Sequence, residues 1–423
     1  MSDWHDVLVY NAKDSAVTIE AWHQIKKQLE EKGHVETHRF IVSLLEPLMY
    51  MSLRGVRVDT SNLRKFSEEL EGEYKVLSEE LSTVAGRVLN PNSPKQLQTY
   101  FYVEKKEKPY LSRTTGRITL DEGALQKLAR KGYKEATIVL RMRSIRKMKS
   151  SYLDVKHDED GRMRCSYNPA GTTTGRLSSS KTIFGRGLNL QTVPKRARAF
   201  FVADPGCTLI EVDLKQAEAM VVGLLAGDPA MLTVFRDPKG DFHQLTADRV
   251  GTTRQIAKAL NHASNYGLGA NKMSLMLSCK KKEADDLMSK YHMIYPGIRS
   301  VFQQTIEDEL RRVRTLTNLF GRKRFFMDRF SNDLLRAGYS FVPQSTVADL
   351  TNRGLLRLYR SNRFDLLAQV HDSVLLQVQE PTQEDYRFVK ECMEEPLEYR
   401  GCTLTIPAEV SAGPNWRDME DVL

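Results

Sequence analysis

The chain has 423 residues, with 63 Lys and Arg against 54 Asp and Glu, which gives a formal net charge of +9 and a pI near 9.1. A chain of this length is too long to fold around one small hydrophobic core, so two or more subdomains are predicted. The basic balance suits a polyanionic partner, although many basic proteins bind none. The sequence shows no 18-residue apolar run and no secretory signal peptide, which argues against membrane-spanning helices.

The cysteines indicate a reducing compartment. Their positions are scattered: Cys165, Cys207, Cys279, Cys392 and Cys402. None forms a C-x-x-C pair with matching histidines, so the pattern argues against a zinc site. An odd, scattered set also argues against a disulfide framework. We therefore expect a soluble protein of the cytoplasm.

The first part of the chain is predicted to be helical. Residues 16–84 contain runs such as "LRKFSEELEGEYKVLSEELSTVAG" with apolar residues at helical spacing. "LNPNSPKQLQTYF" then predicts a turn and a helix capped by Asn92 or Ser93, with Pro94 in its first turn.

One further helix is predicted over "DEGALQKLARKGYKEATIVLRMRSIRKMKSSYL". Near its end Arg143, Arg146 and Lys147 follow one another at three- and one-residue steps, so Arg143 shares a helix face with both of the others. Such an edge would suit a phosphate backbone. An ordinary solvated basic face is the alternative.

The rest of the chain alternates between strand and helix. Residues 208–214, "TLIEVDL", predict a buried strand that carries Asp213 near its end. The pattern is helical over 228–336 and returns to strand over 364–378. This order predicts an α+β fold in which a sheet domain contains a helical insertion.

Two carboxylates are candidates for one site. "LLAQVHDSVLLQV" (366–378) predicts a tight hairpin with Asp372 at its turn, where aspartate is common. If the strand ending near Asp213 lies beside this hairpin, both carboxylates meet at one sheet edge. Mg²⁺ prefers oxygen ligands and often uses one or two carboxylates plus substrate phosphates. Two such ions roughly 4 Å apart activate an attacking oxygen and stabilise a leaving one, which is phosphoryl-transfer chemistry.

The helical insertion contains a second part of the candidate site. "TTRQIAKALNHASNYGLG" predicts a helix that begins after Thr252 or Thr253 and ends at Gly267. One face carries residues at four-residue steps, Arg254, Lys258, His262 and Tyr266. Two cations near a helix N-terminus suit a polyphosphate, and the following rings can pack on sugar and base. An exposed basic face is again the alternative.

Three segments resemble the polymerase motifs of family A DNA polymerases, the bacterial DNA polymerase I group: "DLKQAE" (213–218), "RQIAKALNHASNYG" (254–267) and "QVHDS" (369–373). Further segments match in the same order and extend the resemblance over about residues 40–420. They are "EPLMYMSLRGVRVD" (46–59), "NSPKQL" (92–97), "TGRLSSS" (174–180), "LNLQ" (188–191), "GDFH" (240–243), "FGRKR" (320–324) and "VPQSTVADL" (342–350). Ordered motifs along a whole chain are far more specific than one short pattern.

The resemblance implies a right-hand polymerase fold with an antiparallel palm sheet and helical thumb and fingers. It places the thumb at 45–165, the palm at 166–225 and 337–423, and the fingers at 226–336. It implies a template-directed DNA polymerase that acts on primer–template DNA and dNTPs, in the cytoplasm of a bacterium or a phage-infected cell, with a phage origin as one possibility.

The resemblance also implies individual roles. Two Mg²⁺ ions, which Mn²⁺ can replace, would be held by Asp213, Asp372 and the Leu214 carbonyl. Lys258 would join the two aspartates in catalysis. The implied nucleotide-binding residues are Arg254, Lys258, His262, Tyr266, Glu218, His243 and Gln216. The residues implied or predicted to contact DNA are Arg176, Asn189, Gln191, Arg336, Gln344, Gln369, His371, Arg143, Arg146 and Lys147.

The chain departs from the family at several positions. Leu214 and Lys215 stand where the family usually has Tyr and Ser, His262 stands where it has Phe or Tyr, and Ser373 stands where it has Glu. Single-subunit RNA polymerases can contain the sequence His-Asp-Ser at this position, and an enzyme of that kind is the first alternative. Glu218, which matches the family's ribose gate beside Tyr266, favours DNA synthesis, as do "NSPKQL" and "TGRLSSS". A catalytically inactive DNA-binding scaffold is the second alternative, against which the retained aspartates and cations argue.

The N-terminus resembles a different part of the same family. "YNAKDSAVTIEAW" is similar to the last motif of the 3′–5′ exonuclease domain, with Tyr10 and Asp14 at its spacing. The acidic motifs that would precede it are absent, so we expect residues 1–44 to be a remnant without proofreading activity. Such a remnant offers a surface for a separate exonuclease chain or a processivity factor. The alternative is that Tyr10 and Asp14 simply begin a helix.

Overall fold

The computed structural model describes residues 4–112, 115–277 and 279–423. The N-terminal part is mainly helical, as predicted. Its helices are α1 (Trp4–Glu31), α2 (Val35–Ser43), α3 (Leu45–Arg54), α4 (Thr60–Ala85), α5 (Pro94–Gln98), α6 (Glu122–Arg130) and α7 (Lys134–Met148). α1 has no buried residue. Tyr10 and Asp14 lie within this helix rather than at its start, and both are exposed.

Local signals explain two helix boundaries in this part. The Ser93 side chain accepts a hydrogen bond from the Gln96 amide at the start of α5, and Pro94 occupies the first turn, as predicted. The single helix predicted after residue 120 is instead two helices, α6 and α7. Gly132 adopts φ +94° between them, a left-handed conformation that ends the first helix.

The strands form one main sheet and several small ones. They are β1 (Val56–Val58), β2 (Tyr110–Leu111), β3 (Ile118–Thr119), β4 (Arg162–Met163), β5 (Ser166–Asn168), β6 (Ser178–Ser180), β7 (Phe201–Val202), β8 (Cys207–Leu214), β9 (Thr315–Thr317), β10 (Lys323–Phe325), β11 (Asp365–Val370), β12 (Ser373–Gln379), β13 (Pro396–Tyr399), β14 (Cys402–Thr405), β15 (Ala408–Gly413) and β16 (Glu420–Asp421). The main sheet has the order β11-β12-β8-β15-β16, and its paired strands are antiparallel. A second sheet has the order β4-β1-β7. The predicted α+β class and antiparallel sheet are therefore present.

The second half of the chain supplies the remaining helices. They are α8 (Ala217–Ala226), α9 (Pro229–Arg236), α10 (Phe242–Val250), α11 (Arg254–Asn265), α12 (Ala270–Leu277), α13 (Lys281–Ile294), α14 (Gln304–Arg312), α15 (Asn332–Arg360) and α16 (Gln383–Met393). The region predicted as wholly helical over 228–336 is interrupted by the β9–β10 hairpin, whose strands are too short for a distinct apolar pattern.

The main sheet lies between two hydrophobic cores, because side chains alternate across a strand. From β8, Ile210 and Val212 enter the larger core, which also contains residues of α8, α11 and α15. Leu209 enters the smaller core with residues of α4 and α7. Burial on both faces fixes the register of β8, and this register determines where Asp213 emerges.

A buried ion pair joins the β9–β10 hairpin to α15. The Arg322 guanidinium donates to the Asp349 carboxylate at 2.6 Å, and the Asn318 side-chain amide donates to the same carboxylate at 2.7 Å. The Arg322 guanidinium also packs against Gly175, where an added Cβ would lie 2.6 Å from it. Since Arg176 follows directly, this cluster supports a residue of the candidate site.

Two further features bear on the class of protein. Within the described residues, none of the helices combines the length and hydropathy that a bilayer crossing requires. All five cysteines have free thiols.

Candidate functional site

Asp213 and Asp372 lie at one edge of the main sheet. Asp213, near the end of β8, pairs in register with Ser373, the first residue of β12. Asp372 precedes Ser373 in a two-residue hairpin turn, and its carbonyl accepts a hydrogen bond from the Leu214 amide at 3.3 Å. His371 adopts φ +57°, a conformation that tight hairpin turns use. The sheet therefore brings the two carboxylates together across the long insertion between them.

The electrostatics of this edge suit a cation. Asp213 faces an open cavity, so its surface is accessible, but the surrounding walls exclude much of the bulk water. This desolvation, followed by the charge of Asp372, raises the pKa of Asp213 to about 7. Desolvation also raises the pKa of Asp372. No Lys or Arg within the described ranges forms an ion pair with either carboxylate, and two carboxylates in one cavity fit a divalent cation.

A cavity of about 570 Å³ opens from this edge toward α11. Its lining includes both aspartates and the predicted helical stripe of Arg254, Lys258, His262 and Tyr266. The Thr253 side chain caps the helix by accepting a hydrogen bond from the Ile256 amide at 3.3 Å. The last helical residue is Asn265, and Gly267 follows with φ +66°, close to the predicted end.

The two cations at the start of α11 differ in their partners. Arg254 Nε donates to Asp241 Oδ2 at 2.6 Å in a half-exposed ion pair. Lys258 is exposed and has no ion-pair or hydrogen-bond partner in the part of the chain that the structure describes. Both cations lie at the positive end of a helix, so this wall of the cavity favours an anion.

His243 and Gln216 lie beside these cations. Burial lowers the pKa of His243 to about 4, so the ring is neutral near pH 7. The Asn261 amide nitrogen lies 2.9 Å from His243 Nδ1, which assigns the acceptor role to Nδ1 and the proton to Nε2. Gln216 bonds to the Gly240 carbonyl at 3.3 Å and to the Phe242 amide at 3.1 Å. Both ends of the Gln216 amide thus join the start of α8 to the start of α10, and its contact with a nucleotide stays a prediction.

Glu218 is shared by two other predicted site residues. One of its oxygens accepts a hydrogen bond from the Tyr266 hydroxyl, and the other pairs with the Arg176 guanidinium. Tyr266 is buried, and its ring meets His262 edge to face with centroids 4.9 Å apart. Glu218, His262 and Tyr266 form part of the wall of the cavity that also contains the two aspartates.

A connected row of polar side chains runs along the sheet beside Asp372. The Gln191 side-chain amide donates to Gln369 Oε1 at 3.0 Å, and Gln369 Nε2 donates to the His371 carbonyl at 2.5 Å. The Asn189 side chain accepts a hydrogen bond from the Gln191 backbone amide at 3.0 Å. The structure therefore brings four of the predicted DNA-contacting residues together.

The predicted basic edge of α7 does not form as a unit. Arg143 is half-buried and donates to the Pro91 and Leu120 carbonyls at 2.8 and 2.7 Å. These two bonds use part of its guanidinium, and a phosphate contact by Arg143 stays a prediction. Arg146 and Lys147 remain exposed.

The last two predicted DNA-contacting residues lie on α15. Arg336 pairs with Asp333 one turn earlier in the same helix. Gln344 is half-buried beside Pro343, which lies inside the helix. Neither side chain belongs to the row formed by Gln191 and Gln369.

Glu409 and Asp241 line the cavity but were not identified from the sequence. Glu409 pairs in register with Asp213 on β15, and its carboxylate binds the Lys215 ammonium at 2.9 Å. Asp241 holds Arg254 and also caps α10 by accepting from the His243 amide at 2.9 Å. The helix-cap signal in "GDFH" could have indicated Asp241. Glu409 has no local signal, because its position depends on strand pairing.

The chain is similar to known DNA polymerases. A model of the family described as DNA polymerase family A matches residues 60–418. A thermostable DNA polymerase I from Thermus filiformis is 33% identical over 402 residues, which cover 87% of this chain and 46% of that protein. DNA polymerase I from Rhizobium leguminosarum is 29% identical over 442 residues, covering 96% of this chain and 43% of that protein.

A solved structure has a similar fold. The POL domain of Pol1 from M. smegmatis, in complex with DNA primer–template and dNTP, aligns with a TM-score of 0.80 and 26% identity over 89% of this chain and 70% of that one. The chain spans less than half the length of the curated relatives cited above. With the family model matched over most of its length, this chain belongs to DNA polymerase family A.

Proposed function

We propose that the chain is a template-directed DNA polymerase, which adds deoxynucleotides to a primer 3′ end by phosphoryl transfer. The observation that carries this proposal is the pair Asp213 and Asp372, which lines one cavity together with Arg254 and Lys258. Membership of the family and the likeness to a domain solved with primer–template and dNTP support it.

The two aspartates would hold divalent cations, with the Leu214 carbonyl as a third ligand. Bound Mg²⁺, or Mn²⁺ in its place, supplies charge neutralisation at the phosphates and at the attacking oxygen. The carboxylates fit this role because their crowding and desolvation are relieved when a cation neutralises them.

The first turns of α11 would bind the triphosphate. Lys258 is unpaired and exposed, so it can reach an anion without breaking another contact. The Arg254–Asp241 pair is half-exposed and therefore weak, about 1 kcal/mol or less, so a triphosphate can displace Asp241. Neutral His243 can donate a hydrogen bond from Nε2 without adding charge. Lys258 would also donate a proton to the departing pyrophosphate.

The Glu218 wall would select the sugar. Its carboxylate is held in place from both sides by Tyr266 and Arg176, so it cannot readily move away from an added 2′-hydroxyl. His262 packs on Tyr266 and would lie near the 3′ position of the same sugar. Selection against a hydroxyl follows from lost space and from desolvation of the carboxylate.

The row beside Asp372 would hold the primer terminus. Gln191, Gln369 and Asn189 present amide groups, which can bond to the acceptor atoms of base edges in the minor groove. The remaining DNA contacts that we assign are Arg176, His371, Arg336, Gln344, Arg146 and Lys147. On this basis we assign residues 45–165 to the thumb, 166–225 and 337–423 to the palm, and 226–336 to the fingers.

The exposed helix α1 is the proposed docking surface for a separate exonuclease chain or a processivity factor. None of the 28 residues of α1 is buried within the described structure, and the exposed ones include the apolar side chains of Trp4, Leu8 and Val17.

Primer extension tests the proposed activity. The chain, a labelled primer–template and Mg²⁺ are incubated with dNTPs and, in parallel, with rNTPs. Extension with dNTPs that stops in EDTA is expected. Extension with rNTPs at equal efficiency would favour the RNA polymerase alternative, and DNA binding without extension would favour an inactive scaffold.

A further inference from the structure

A short loop next to the row of polar side chains carries an unusual tip. Residues 181–187, "KTIFGRG", lie between two segments that match family motifs, "TGRLSSS" and "LNLQ", and belong to neither. At the tip Ile183 is 89% exposed and Phe184 is 82% exposed. Two neighbouring apolar side chains so fully in water suggest a binding role.

The loop is built to hold this tip outward. The Thr182 amide donates to the Arg186 carbonyl at 3.0 Å, and the Gly185 amide donates back to the Thr182 carbonyl at 2.9 Å. At the base, the Gly187 amide donates to the Lys156 carbonyl at 3.1 Å. Gly187 also packs so closely on the Arg164 backbone that an added Cβ would lie 2.0 Å from the Arg164 carbonyl oxygen. The turn is therefore closed and anchored.

The position of the loop connects it to the proposed DNA surface. The chain enters from β6, and it leaves into the short helical turn Leu190–Thr192, which includes Gln191 and is capped by Asn189. The Ser179 hydroxyl donates to Asn189 Oδ1 at 2.5 Å, so the two sides of the loop are joined at its base. The base of the loop is thus joined to the row that begins beside Asp372.

Charge around the tip favours a polyanion. Lys181 and Arg186 flank the apolar pair, and both are exposed. Arg186 lies 3.6 Å from Asp158 in a pair that is partly open to water. The Asp158 and Asp160 carboxylates are bound by Arg164 at 2.8 and 2.5 Å, so the nearby acidic charge is largely compensated. The cations can therefore approach phosphates.

We propose that the 181–187 loop is a DNA-contacting wedge, in which Ile183 and Phe184 pack on the minor-groove side of the primer–template duplex while Lys181 and Arg186 contact its phosphates. Apolar side chains are used in this way at minor grooves, and aromatic rings stack on bases without sequence preference. This inference rests on the proposed polymerase function and adds a contact that sets DNA affinity.

The double variant Ile183→Ser/Phe184→Ser tests the inference, with Val17→Ser/Ile19→Ser as a matched control on α1, where both residues are also exposed, at 65% and 58%. The dissociation constant for a labelled primer–template is measured by fluorescence anisotropy. We expect the loop variant to bind about fivefold more weakly, the low end of one lost stacking contact, and the control to bind within about twofold of wild type.

A second variant, Phe184→Trp, reports contact directly, since stacked bases quench indole fluorescence. Quenching on addition of duplex DNA is expected. The inference would be overturned if the wild-type chain binds and extends DNA, but Phe184→Trp emission is unquenched and Ile183→Ser/Phe184→Ser binds DNA with unchanged affinity. That result would favour a protein partner for the loop. A wild-type chain that neither binds nor extends DNA would overturn the polymerase proposal and the inference with it.

Discussion

Replacing Glu218 by alanine removes the acceptor that Tyr266 and Arg176 share. Tyr266 is 9% exposed, so its hydroxyl cannot readily turn to water. A buried donor without a partner costs about 1–3 kcal/mol. Arg176 is 33% exposed and can be rehydrated, so the lost ion pair adds no more than about 1 kcal/mol. The free energy of unfolding should therefore fall by about 1–4 kcal/mol in Glu218→Ala.

The same change should admit ribonucleotides. Forcing an extra atom into a packed site costs about 1–3 kcal/mol, and a penalty near 2 kcal/mol corresponds to roughly 30-fold discrimination. We expect the dNTP-to-rNTP ratio of kcat/KM to fall by about this factor in Glu218→Ala. In Glu218→Gln, which keeps the bulk of the side chain, the ratio should stay within about threefold of wild type.

A second substitution separates the two effects. Adding Tyr266→Phe to Glu218→Ala removes the orphaned hydroxyl, so about 1 kcal/mol or more of stability should return while discrimination stays low. Urea unfolding measures the first quantity, and single-nucleotide incorporation kinetics measure the second. An unchanged dNTP-to-rNTP ratio in Glu218→Ala would refute the assignment of this carboxylate to sugar selection.

Three other predictions concern histidines and the N-terminus. His262→Phe and His262→Tyr should each change the incorporation of dideoxynucleotides relative to dNTPs, because the His262 ring packs on Tyr266 in the cavity wall; identical dideoxynucleotide-to-dNTP ratios in all three proteins would remove any special role for the ring. Burial lowers the pKa of His243 and of His292 to about 4 from an ordinary 6.5, so the folded state binds fewer protons than the unfolded state, and stability should be lost as pH falls from 6.5 toward 4. From pH 7 to pH 5, the protonation difference of each ring should lower the free energy of unfolding by about 1–2 kcal/mol. Urea titrations should therefore show a smaller loss of stability over that range in His292→Gln than in wild type, and an equal loss would contradict this cause. A 3′-mismatched primer incubated with Mg²⁺ and no dNTPs should keep its length, because Asp14 is exposed on a helix without buried residues; shortening that Asp14→Ala abolishes would contradict this.

Local sequence signals predicted the parts of the site that depend on short-range order. The alternation in β8, the hairpin around Asp372 and the four-residue stripe of α11 each follow from a periodic pattern. Their meeting in one cavity could be predicted only through the resemblance to a family. The pairing of β8 with β12 links residues far apart in the chain, and no pattern within either strand specifies that partner.

Tertiary contacts of three residues could not be predicted from the sequence. Arg143 has the charge and spacing of a phosphate contact, but it also donates to the Pro91 and Leu120 carbonyls. Gln216 bonds to the segment that begins α10. Glu409 enters the cavity because β15 pairs with β8. In each case the side chain has a tertiary partner, and the sequence around the residue contains no information about that partner.

The proposed catalytic centre depends most directly on the two aspartates. Asp213→Asn and Asp372→Asn should each reduce primer extension with Mg²⁺ and dNTPs to below a few per cent of wild type, because cation-dependent charge stabilisation acts on the reacting groups. Both variants should bind primer–template within about threefold of wild type, since the duplex is held by other residues. Asp286→Asn, an exposed change on α13, serves as the control and should retain full activity. Extension by both aspartate variants at more than a few per cent of the wild-type rate, with Mg²⁺ still required, would contradict the claim that this sheet edge is the catalytic centre.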